Sequence, residues 1–105
     1  MITYLKNVRD ITVDALRVQI NSCGLIAFQD VDYHIRRTEW NVDYQLLYIT
    51  EGVGHFYCNG SHLIAPAGSA LLYAPGEVQE YGYTREEGAL VWFCHFTGEG
   101  VASLL

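Results

Sequence analysis

Apolar and polar residues alternate in short runs along this chain, and glycine, proline and asparagine separate the runs. Leu16 to Ile20 (LRVQI) and Val31 to Ile35 (VDYHI) switch at period two, the pattern of a strand with one buried face. Tyr44 to Thr50 (YQLLYIT) is apolar at almost every position and predicts a strand covered on both faces. His55–Cys58 and Ser61–Ala65 flank Asn59-Gly60, a dipeptide that accepts the positive φ of a tight hairpin. Ser69–Ala74, Val78–Thr84 and Ala89–Phe96 follow, with turns at Pro66-Ala67-Gly68, Pro75-Gly76 and Arg85–Gly88.

From Gly52 onward the turns recur every eight to twelve residues. That spacing predicts an all-β antiparallel sandwich, barrel or jelly roll. Only Asp10–Leu16 (DITVDAL) carries a weak helical pattern, and residues 1–10 lack any period, as a mobile arm would. The final GVASLL is apolar and uncapped, which reads as a cut within a longer protein where a helix begins.

Composition narrows the function. The 105 residues suit one domain, 1–105, and half of them are hydrophobic. The net charge of −6 repels phosphate backbones, so direct nucleic-acid binding by this domain is not expected. No apolar run reaches the roughly 20 residues of a membrane span, and the first ten residues lack a secretory apolar stretch. The expected location is the cytoplasm, with no membrane partner. Cys23, Cys58 and Cys94 form no CxxC pair and read as small buried hydrophobes in a reducing compartment.

Three stretches carry a resemblance: YQLLYITEGVGHFYCNG after Arg36-Arg37, then LIAPAGSALLYAPGEVQEYGY, then VWFCHFTG. In this order and spacing the chain resembles the N-terminal effector-binding domain of AraC-family transcription regulators, by motif over about 60 residues from Arg37 to Phe96. The resemblance implies a cupin-like β-barrel that holds a small effector, often a sugar. It also implies a C-terminal DNA-binding domain, absent from these 105 residues, and helices after the barrel through which many members form homodimers.

The resemblance also picks out residues. Tyr81 matches a tyrosine that touches the sugar in the arabinose-binding member. Its face can pack on C–H groups while its hydroxyl bonds. Gln79 lies two residues earlier, on the same strand face. It stands where metal-binding barrels often place histidine, and it offers an amide to a hydroxyl-rich guest. Arg37 matches the arginine that grips sugar hydroxyls; Arg36, its neighbour, must point the other way. Val91 and Phe93 occupy positions that carry histidine and tryptophan in the arabinose-binding member, so arabinose itself is in doubt and a different sugar or a more hydrophobic effector is expected. His95 shares their face and caps the core. Trp92, on the opposite face, reads as a core residue in preference to a stacking platform, and Tyr83 fits rim or surface. For Tyr81 the competing role is a plain core tyrosine, and for the arginines a solvated strand end.

A cupin metal site needs two histidines one residue apart, a carboxylate and a later histidine. His34, His55, His62 and His95 contain no such pair, and Gln79 is a poor ligand for first-row metals. No metal, cofactor or catalytic residue is expected. The rival readings are a small metal-dependent cupin enzyme, an isomerase or dioxygenase, and a stand-alone carbohydrate-binding module.

Overall fold

The structure, a computed structural model, describes residues 17–38 and 41–99. Eight strands follow one another: β1 (Arg17–Phe28), β2 (Tyr33–Arg37), β3 (Tyr44–Glu51), β4 (Val53–Cys58), β5 (Ser61–Pro66), β6 (Ala70–Tyr73), β7 (Gln79–Tyr83) and β8 (Ala89–Glu99). They form two four-stranded antiparallel sheets, ordered β1-β8-β3-β6 and β2-β7-β4-β5. Successive strands alternate between sheets except at the β4–β5 hairpin, which gives the double Greek-key order of a jelly roll. The all-β, cupin-like expectation holds. The residues read as arm and as weak helix lie outside the described ones.

Turn chemistry sets the corners. Asn59 and Gly60 take φ of 49° and 80°, closing the β4–β5 hairpin that the dipeptide predicts. At Pro75-Gly76, proline fixes the first corner residue while Gly76 takes φ 80°, and Glu77 N–H donates to Ala74 O at 3.2 Å.

Three strand readings need correction. β1 runs eight residues past Ile20, where Asn21, Ser22 and Gly24 broke the apolar pattern. A bulge between Ile20 and Ser22 shifts its register on β8, so no single period spans the strand. β2 begins at Tyr33 and includes both arginines. β3 is covered on one face only: Gln45, Leu47 and Ile49 are buried, while Tyr48 is exposed.

The core lies between the sheets. Leu47, Ile49, Leu71 and Val91 from one sheet meet Phe56, Ala65, Tyr81 and Tyr83 from the other. Outside, Leu25, Trp92 and Tyr48 sit side by side across β1, β8 and β3, all exposed. Trp92, 49% exposed, is therefore not the core residue expected. The cysteines depart from expectation too. Cys23 and Cys58 are exposed, and Cys23 lies opposite Cys94 in register with the sulfurs 2.9 Å apart.

Candidate ligand-binding site

Period two along four strands aims one set of side chains into the space between the sheets. β2 contributes Tyr33 and Arg37, β3 Gln45 and Leu47, β7 Tyr81 and Tyr83, and β8 Val91, Phe93 and His95. Ile26 and Phe28 from the far half of β1 complete the wall. They enclose a cavity of about 320 Å³, within the range of small-molecule sites. A larger depression of about 450 Å³ lies by the β4–β5 hairpin and is lined largely by exposed groups such as Arg36, Cys58 and Ser61. The cavity between the sheets is the better candidate because Phe28, Gln45, Leu47, Tyr81, Tyr83 and Val91 in its wall are buried.

One end of the cavity is aromatic. Phe28 stacks on Tyr83 with ring centroids 4.4 Å apart, and Tyr33 lies 5.1 Å from Phe28. Phe93 has room because Gly24 is its neighbour across the β1–β8 pair. A Cβ on Gly24 would stand 2.6 Å from the Phe93 ring.

The other end is polar. Gln45 and His95 are register partners, and Gln45 Nε2 donates to the Tyr81 hydroxyl at 3.0 Å, joining the two sheets. The remaining amide oxygen, Gln45 Oε1, is buried without a partner, as is the Tyr83 hydroxyl. His95 Nδ1 faces Asp43 Oδ1 at 3.6 Å, both side chains partly exposed. Arg37 lines the cavity and has no carboxylate partner among the described residues; Arg36 points outward, 3.5 Å from Glu80.

Burial raises the phenols of Tyr73, Tyr81 and Tyr83 above the ordinary tyrosine range, most strongly for Tyr73 and Tyr83. For Tyr81 the Gln45 hydrogen bond and the Arg37 charge pull the other way but do not offset the loss of water. All three stay neutral hydrogen-bonding groups at physiological pH.

Five of the six residues singled out in the sequence, Arg37, Tyr81, Val91, Phe93 and His95, line this cavity together. Gln79 is buried, 1% exposed, but lies outside the lining, opposite Arg37 in the β2–β7 register. Tyr83, read as rim or surface, is 2% exposed. Sequence reasoning missed Tyr33, Gln45 and Leu47 as well as the β1 pair. A signal existed for Gln45, a polar residue in phase with Leu47 and Ile49. None existed for Ile26 or Phe28, whose strand the pattern did not show.

On the outside of the second sheet His55 is held from both sides. Its Nε2 contacts Glu87 Oε1 at 2.5 Å, and its Nδ1 shares a hydrogen bond with His62 Nε2 at 2.8 Å. Among the described residues no three His, Cys, Asp or Glu side chains form a group able to hold a metal ion. No helix among them is long and apolar enough to cross a membrane.

The family model described as the AraC-like ligand-binding domain matches residues 20–104, most of the chain and every strand that lines the cavity. The chain belongs to the AraC-like ligand-binding domain family. The fold is also similar to the crystal structure assigned as ethanolamine utilization protein Q from Salmonella typhimurium LT2, at a TM-score of 0.54 and 16% identity. The likeness covers 90% of this chain but 66% of that one, and at this identity it speaks for the cupin-type fold alone. No curated protein matches the chain significantly by sequence.

Proposed function

We propose that this AraC-like domain is the sensing part of a transcription regulator and binds a small effector inside the barrel. The observation that carries the reading is the interior cavity itself. It is bounded by both sheets and holds polar groups, Arg37 and the Gln45 amide oxygen, that nothing else in the described structure engages. A buried polar group without a partner is costly, so a guest or water that satisfies it is favoured.

On this reading the domain is not an enzyme. The lining is built for recognition: most of it is apolar or aromatic, and its tyrosines are held neutral. DNA contact belongs to another part of the regulator, because a domain of net charge −6 has no electrostatic footprint for a phosphate backbone. A cytoplasmic location and a homodimer complete the proposal. The sugar-like guest expected from sequence fits the polar end, and the aromatic end suits a sugar's C–H faces or a flat ring.

The test is binding by calorimetry and by NMR with the Phe93 and Tyr81 rings as reporters. A small molecule that binds and moves both signals supports the reading. Effectors that bind the regulator while leaving both unchanged overturn it.

A further inference from the structure

Along each inward-facing row of side chains the character changes in the same direction. β2 passes from Arg37 through Ile35 to Tyr33, β3 from Gln45 through Leu47 to Ile49, and β8 from His95 through Phe93 to Val91. Pairing of β3 with β8 stacks two of these gradients in phase, and the contact of Tyr33 with Phe28 sets the β2 gradient alongside them from the other sheet, so the cavity has a cationic, hydrogen-bonding end and an aromatic body. From this polarity we infer that the guest is a small aromatic carboxylic acid, an inference that rests on the effector reading above.

Arg37 carries the argument. Its fork of donors matches a carboxylate in bidentate geometry, and no carboxylate among the described residues occupies it. Asp43, an acidic group at this end, is engaged by residues other than Arg37. It faces His95 at 3.6 Å and accepts a hydrogen bond from Asn21 Nδ2 at 3.4 Å. The Gln45 amide nitrogen is committed to Tyr81 and its remaining oxygen is an acceptor, so recognition of a carboxylate falls to Arg37. At the opposite end Phe28, Tyr33, Tyr83 and Phe93 present ring faces and edges at the spacing aromatic contacts prefer. A sugar satisfies the polar end but leaves this body with an imperfect partner. A benzenoid ring fills it, and a ring hydroxyl meets the unpartnered Tyr83 hydroxyl.

The experiment is calorimetry of the 105-residue chain with benzoate, 4-hydroxybenzoate, benzamide, benzyl alcohol and L-arabinose, alongside the Tyr81 and Phe93 NMR signals. The expected result is that the acids bind about tenfold or more tightly than the amide and the alcohol. Arg37→Ala should erase that preference, and Arg36→Ala should keep it. Arabinose binding in the cavity more tightly than either acid would overturn the inference and leave the effector reading standing. Equal binding of acid, amide and alcohol would also overturn it, as would no aromatic binding at all. Aromatic acids that bind without moving the Tyr81 and Phe93 signals would overturn both readings.

Discussion

Gln45 and Tyr81 are hydrogen-bonded across the barrel at 3.0 Å, one from each sheet and 36 residues apart in sequence. The contact is buried and fixes the Tyr81 ring against the cavity. Tyr81→Phe should keep the ring packing but strand a second atom of the Gln45 amide. The expected cost is about 1–3 kcal/mol in chemical denaturation, with little change in the denaturant slope. A variant as stable as the parent would show that the bond contributes nothing.

Arg36 and Arg37 are adjacent in sequence and opposite in role. Arg37→Ala should weaken guest binding by about 1.5–3 kcal/mol and barely move the melting temperature. Arg36→Ala removes an exposed contact to Glu80 and should change stability by less than about 1 kcal/mol and binding not at all. Titration of both variants with the same guest distinguishes them.

Gly24 makes space for the Phe93 ring, so volume added there is volume lost from the cavity. Gly24→Val should push Phe93 inward and lower guest affinity, with the fold retained by circular dichroism. Pairing it with Phe93→Ala should restore part of the affinity. Absence of any effect on binding would place the guest away from Phe93.

Cys23 and Cys94 face each other on β1 and β8 and are poised for oxidation. Burial, then the hydrogen bond from Cys23, pushes the Cys94 thiol up to about 11, so the exposed Cys23 reacts first. With oxidised glutathione, Cys23 forms a mixed disulfide and Cys94 displaces the second glutathione, releasing two reduced glutathiones per link formed. Peptide mapping should recover a Cys23–Cys94 link, and Cys23→Ser should abolish it. Linkage of either residue to Cys58 instead would contradict the register.

Glu87 accepts hydrogen bonds from His55 and from Thr84, which hold its carboxyl below the ordinary glutamate range. A lowered folded-state value means the contact stabilises fully above the unfolded-state value and is lost as pH falls through the folded one. Glu87→Gln should therefore reduce the loss of stability on acidification and leave the neutral-to-basic limb unchanged. Urea midpoints measured across the acidic range check this.

Local chemistry determined much of this protein from the sequence alone. Period two, the Asn59-Gly60 hairpin and the Pro75-Gly76 corner act through neighbouring residues, so the later strands and their turns were legible. The family resemblance, not the period, then singled out Arg37, Tyr81, Val91 and Phe93, and the shared strand face added His95. The order of strands within the sheets was not legible, because antiparallel partners are chosen by packing between residues far apart in the chain. The β1 bulge hid Ile26 and Phe28, and the exposure of Trp92 follows from which face of β8 the opposite sheet covers. The partner of Gln45 could not be read either. Only closing one sheet over the other brings it to Tyr81 and turns separate strands into a cavity with one polar and one aromatic end.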